Sequence, residues 1–165
     1  MTQQPTSTND RGYALAASEG ETAWWESQLF IIKNSARGLG LVDATLEAGS
    51  EPPMHIHTRE DEYIYVLDGD ITVWFGEETV TATTGGLIVM PRNIPHTFGV
   101  DGGRLCHILF LYTPNGFERV FWDQRTADYE PGVTGPPAAR HDLARLGKAF
   151  EDAGLIITGP HPRDN

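Results

Sequence analysis

Residues 49–69 read GSEPPMHIHTREDEYIYVLDG, and this stretch decides the architecture. In an extended strand residues i and i+2 face the same side, so His55 and His57 present both imidazoles from one backbone. Glu62 follows His57 by five residues, which breaks the period of two. The polar run 58–61 is therefore read as a turn that brings Glu62 back beside the pair on the next strand, with Glu60 and Asp61 as its solvated face. A second stretch, GGLIVMPRNIPH at 85–96, closes on His96 after a rigid corner containing Pro91 and Pro95. His96 is read as a fourth ligand, reaching in from across a barrel. Three neutral imidazoles and one carboxylate suit Fe(II), Mn, Co, Ni, Cu or Zn and leave positions open for water, substrate or O2.

Outward from these stretches the chain breaks into short β-rich runs: 28–33, 39–46, 62–67, 71–75, 78–82, 86–90 and 104–112. Turn signals separate them, among them Asp68-Gly69, Gly76-Glu77, Gly85-Gly86 and Gly102-Gly103. Strands at this spacing predict an all-β sandwich or barrel. After Tyr112 the pattern changes. Asn115-Gly116 is read as the cap of a helix carrying Phe117, Val120 and Phe121 on one stripe. A breaker-rich link at 131–137 follows, and Leu143, Leu146 and Phe150 mark a second helix ended by Gly154. The apolar run 155–158 is expected to dock. The organisation expected is a loose tail at 1–11, a β-barrel at 12–114 and a helical annex at 115–165.

The two stretches resemble the paired motifs of the cupin superfamily. Gly49, His55, His57, Glu62 and Gly69 fall at the fixed positions of the first motif, and Gly85, Pro91 and His96 at those of the second. Asn93 stands where the family usually has Gly, and Val100 where Asn is common. Asn tolerates the left-handed backbone better than other non-Gly residues, so the first departure is mild. Residues 24–122 look like the single-domain, quercetin 2,3-dioxygenase-like members, clearest in Arg59-Glu60-Asp61-Glu62, in 91–98 and in 111–118. The resemblance implies a double-stranded β-helix, or jelly-roll barrel, with short C-terminal helices. It also implies one divalent transition metal per chain held by His55, His57, Glu62 and His96, and a homodimer paired through sheet edges. In related dioxygenases the matching glutamate takes the substrate's hydroxyl proton, a role carried here to Glu62.

The remaining candidates follow from parity and context. Phe98 shares parity with His96, and Ile64 with Glu62, so these two are expected beside the metal as substrate-binding side chains. His107 is read as a core or interface histidine, His141 and His161 as surface groups, and Cys106 as a small buried hydrophobe. Of Trp24, Trp25, Trp74, Phe98, Phe110, Phe117 and Phe121, most are expected in the ordinary core.

Composition narrows the partners. Of 165 residues, 12 are Lys or Arg and 23 are Asp or Glu, a formal charge of −11. Such a surface repels phosphate backbones and anionic headgroups, so neither nucleic acid nor membrane is expected as a partner. One cysteine allows no internal disulfide, which fits a reducing, cytoplasmic setting. The functional expectation is an O2-dependent dioxygenase acting on a hydrophobic, hydroxylated small molecule of flavonol, enediol or catechol type. The same ligands would serve a non-oxidative isomerase, cyclase, decarboxylase or lyase, or a non-catalytic binding module.

Overall fold

Alternation of apolar and polar residues is what builds the sheets. In the strands at Leu39–Leu46 (β3) and Cys106–Thr113 (β10), Val42, Ala44, Leu46, Cys106, Ile108, Phe110 and Tyr112 all point inward and are 3% exposed or less. Their neighbours in sequence face outward. The computed structural model describes residues 12–49, 51–129, 138 and 140–164. Besides β3 and β10 these form β1 (Glu21–Trp25), β2 (Gln28–Ala36), β4 (Met54–His57), β5 (Asp61–Asp68), β6 (Asp70–Phe75), β7 (Glu78–Thr83), β8 (Leu87–Met90), β9 (His96–Val100), β11 (Ala127–Asp128) and β12 (Leu155–Gly159). The helices are α1 (Glu118–Asp123) and α2 (Leu143–Ala153).

Among the described residues there is a seven-stranded sheet in the order β11-β1-β2-β3-β10-β5-β8 and a five-stranded sheet in the order β12-β4-β9-β6-β7. The pairings are antiparallel. Both sheets contribute to one core, with Val42, Ile64 and Ile108 from the first and Ile71, Val73 and Val100 from the second. Each such side chain stabilises the fold by roughly 1.5–3 kcal/mol relative to exposure. The result is an antiparallel β-barrel of two sheets with few, short helices. The expected tail at 1–11 and the link at 131–137 lie outside the described residues.

The C-terminal part differs from a purely helical annex. β11 adds to the free edge of β1, and β12 pairs with β4 through Leu155↔His57, Ile156↔Ile56 and Ile157↔His55. The physical reason is local: Leu155 to Thr158 is rich in β-branched residues, and one edge of β4 would otherwise lack partners. The start of α1 also differs from the expected Asn115-Gly116 cap. Asn115 accepts from Gly38 N instead, Phe117 occupies the N-cap, and Glu118 accepts from Gly116 N at 2.7 Å. α2 begins at Asp142, whose carboxylate accepts from Ala144 N and Arg145 N, and ends at Gly154, as the sequence pattern predicts. Gly154 has a φ of 88°, and a Cβ there would sit 2.6 Å from Thr58 Oγ1. Its carbonyl accepts from both the amide (3.0 Å) and the hydroxyl (2.7 Å) of Thr58. The helix end is thereby fastened to the turn that follows His57. No described helix is long and apolar enough to cross a membrane.

Candidate metal centre

Strand parity and pairing bring the four expected ligands together. His55 and His57 point inward from β4, and β9 runs antiparallel beside it with His96 opposite His55, so His96 comes from the adjacent strand of the same sheet and not, as expected, from across the barrel. Glu62 comes from the other sheet, opposite Tyr112 on β10 and Met90 on β8. One ligand atom from each of His55, His57, Glu62 and His96 lies within 4.8 Å of all the others, and all four side chains are buried. Asn93, in the corner before His96, has a φ of 66°, the left-handed conformation that asparagine tolerates.

Backbone carbonyls fix the direction of two rings. His55 Nδ1 donates to Pro53 O and His96 Nδ1 to Ile94 O, each at 2.8 Å. A carbonyl only accepts, so Nδ1 carries the proton and Nε2 is turned into the site. Glu62 Oε2 lies 3.0 Å from His96 Nε2 and 3.3 Å from His57 Nε2, while Oε1 accepts from the Tyr112 hydroxyl at 3.1 Å. Burial opposes a charge on Glu62, but the hydrogen bonds and charges of His57 and His96 outweigh it and hold the carboxyl well below its usual range. Burial opposes protonation of His57 too, yet the carboxylates of Glu60 and Glu62 raise it to about 9. For His55 burial wins, with the neighbouring His96 adding to it, and its pKa falls to about 4. Burial, reinforced by Glu62, raises Tyr112 well above 10. Three imidazole nitrogens and a carboxylate oxygen at such spacing fit a divalent transition metal by donor chemistry and reach.

Above the cluster lies a cavity of about 250 Å³. Its wall is largely aromatic: Trp25, Phe30, Phe98, Phe110, Phe117 and Phe121 contribute, together with Tyr112 and Phe150. Phe98 thus borders the cavity beside the cluster. Ile64 does not; it is fully buried among core side chains of the seven-stranded sheet, because Phe110, its partner across β5 and β10, takes the place at the wall. Trp24 and Trp74 lie elsewhere, whereas the other aromatic residues singled out in the sequence face the cavity.

Several polar residues depart from their expected places. Glu60 is 4% exposed rather than solvated, and its Oε2 lies 3.8 Å from His57 Nδ1. Both atoms are buried without a hydrogen-bond partner. Asp61 does face out, as expected, and pairs with Arg92 through two 3.0 Å contacts. His141 is not a surface group: its side chain is 6% exposed, bonds Glu26 Oε1 and Gln124 O, packs 4.3 Å from Trp25 and lines the cavity. His161 is buried against Trp74 and contacts Phe98 O at 3.1 Å. Folding back of the C-terminal segment, which local sequence does not encode, buries both. His107 stands on the outer face and pairs with Asp43 at 2.7 Å. Cys106 is fully buried. Tyr112 was detectable from sequence, since it shares the parity of Ile108 and Phe110.

Residues 42–112 match the family model described as "Cupin domain". No curated protein matches the chain. Among solved structures, KdgF from Halomonas sp. is similar with a TM-score of 0.59 and 20% identity over 66% of this chain and 99% of that one. PAC13 from Streptomyces, solved with uridine, has a TM-score of 0.54 and 18% identity over 66% of this chain and 87% of its own. The cupin domain of Cnp3 from Schizosaccharomyces pombe has a TM-score of 0.52 and 16% identity over 66% and 77%. At these identities the likeness is one of fold. With both motifs contributing side chains to one cluster and a cupin-domain match spanning both, the protein is a cupin-fold β-barrel with a His/Glu cluster able to bind a metal ion.

Proposed function

We propose that the protein is a metal-dependent enzyme, an O2-dependent dioxygenase of the quercetin dioxygenase-like kind, acting on a hydrophobic hydroxylated small molecule of flavonol, enediol or catechol type. The observation that carries this reading is the convergence of His55, His57, Glu62 and His96, of which His55, His57 and Glu62 line a cavity rich in aromatic side chains. A bound divalent metal would lower the pKa of a substrate hydroxyl and provide the electrophilic and redox chemistry. The chain's own contribution is binding, orientation and proton handling. Phe98, Phe110 and Phe117 contribute an apolar wall that excludes water and against which a flat ring can pack. Glu62 is held anionic, the state in which it can receive the hydroxyl proton at Oε2, while Tyr112 keeps Oε1 fixed.

One observation favours a non-oxidative isomerase, cyclase, decarboxylase or lyase instead. The buried Glu62–Tyr112 pair sets a proton acceptor beside a proton carrier, as enolisation requires. Metal analysis of protein purified without added metal, followed by O2 uptake with flavonols and enediols, separates the readings. Uptake supports the dioxygenase, anaerobic turnover the second reading, and metal-free inert protein overturns both. The proposal includes a homodimer and a cytoplasmic location. The dimer is supported by Leu87 and Val89, exposed on edge strand β8, with Tyr65 opposite Leu87; light scattering on the purified chain checks it. The location is supported by the lone buried thiol of Cys106.

A further inference from the structure

The cavity has a second polar pole, far from the metal cluster in strand register. Glu62 lies opposite Tyr112 at one end of the seven-stranded sheet. At the other end Leu46 pairs with Cys106, and Gln28 enters β2 beside Leu29, whose partner is Thr45. Between the two levels the wall is aromatic, with Phe110 6.2 Å from Tyr112 and Phe30 6.5 Å from Phe110. Gln28 borders the cavity and is 6% exposed, and none of the side-chain hydrogen bonds among the described residues involves its amide. The amide atoms are not among those sealed off without a partner, so they face the cavity space, whereas Phe30 and Leu46 in the same inward row present only hydrocarbon to it. Glu26 borders the same end of the cavity, with its carboxylate anchored on one oxygen by the backbone and ring nitrogens of His141 at 3.2 and 3.1 Å.

We propose that Gln28, with Glu26 beside it, forms a distal subsite that recognises a hydroxyl at the far end of the ligand. The ligand is then a neutral, flat aromatic molecule hydroxylated at both ends: one end meets the His/Glu cluster and the other donates to the Gln28 amide oxygen. Glu26 accepts donors and repels anions, so a carboxylate or phosphate at that end is disfavoured. This inference rests on the reading of the His/Glu cluster as a metal site for a hydroxylated head group.

A matched pair of catechols tests it. 4-Phenylcatechol and 4-(4-hydroxyphenyl)catechol share a head group and differ only in the distal hydroxyl. Both are titrated under argon into the zinc-loaded chain, where no redox turnover occurs, and binding is read from quenching of tryptophan fluorescence, Trp25 being part of the wall. The distal hydroxyl is expected to tighten binding about tenfold, as one hydrogen bond to a cavity-facing amide warrants. In Gln28→Leu the two affinities should converge on that of the plain catechol. Gln28→Asn, which keeps an amide but withdraws it, should retain part of the preference, and zinc stoichiometry checks that both variants fold. Equal binding of the two catechols by the native chain, or a preference undiminished in Gln28→Leu, overturns the subsite while leaving the metal-site reading intact. Binding of neither compound overturns the catechol-head reading and the subsite with it.

Discussion

Replacing Glu60 by Gln should weaken metal binding without touching a ligand. Glu60 Oε2 and His57 Nδ1 are 3.8 Å apart, buried and unpartnered, whereas the Nδ1 atoms of His55 and His96 already donate to carbonyls. His57 is thus the one ligand imidazole whose outer nitrogen depends on a carboxylate. With a metal on Nε2 the imidazole is neutral and its Nδ1–H faces the Glu60 carboxylate, which orients the ring and raises its donor strength. Loss of such an outer carboxylate typically lowers metal affinity 10- to 100-fold, or about 1.4–2.7 kcal/mol. Competition of Glu60→Gln and the native chain against a chromogenic chelator measures the difference for zinc. Asp61→Asn is the control, since Asp61 points outward to Arg92. Unchanged affinity in Glu60→Gln, or an equal loss in Asp61→Asn, would refute the assignment of Glu60 as the residue that positions His57.

Four further outcomes are expected. Glu62→Ala and His57→Ala should each lower bound metal by about tenfold or more, read by metal analysis after dialysis, because each removes one of four donors. Tyr112→Phe keeps the ring but strips Glu62 Oε1 of its buried donor, so a denaturant melt should show a loss of about 1–3 kcal/mol. The Arg92 hydrogen bonds lower Asp61 to about 2, from an ordinary value near 4. This contribution is complete above the unfolded pKa and is lost as pH falls through about 2. Since the pair is partly exposed, Asp61→Asn should cost under about 1 kcal/mol at neutral pH, and its stability difference from the native chain should vanish in acid. Burial, with Asp70, Asp68 and Asp101 nearby, raises the Cys106 thiol to about 11, so a chromogenic disulfide reagent should label the folded chain only as fast as it unfolds.

What the sequence made legible was what depends on local spacing. The period of two put His55 and His57 on one face, the polar turn returned Glu62 to them, and the corner at 91–95 brought His96 into the cluster, though from the strand beside β4 and not from across the barrel. Gly154 stopped α2 where its pattern ended. Ile64 shows the limit of parity: it selects a face of the strand, but the neighbouring Phe110 decides which side chain reaches the cavity. His141, His161 and Glu60 were misplaced for another reason. His141 and His161 lie in breaker-rich or polar stretches buried by segments that meet only in the folded chain, Trp25 with His141 and Trp74 with His161, whereas Glu60 turns inward beside His57, three residues earlier. Composition cannot reveal such long-range closures. Gln28 likewise gave no local signal, since a glutamine opening a strand is unremarkable until the cavity beside it is known.

The pairing of β12 with β4 has a consequence for biosynthesis. Gly154, which anchors Thr58, lies 96 residues downstream of it, and Leu155 to Ile157 then cover the strand that carries His55 and His57. Until residues 154–157 have been synthesised and folded back, the strand that carries His55 and His57 keeps an open edge, so the wall behind two of the candidate ligands is completed by a segment made long after it.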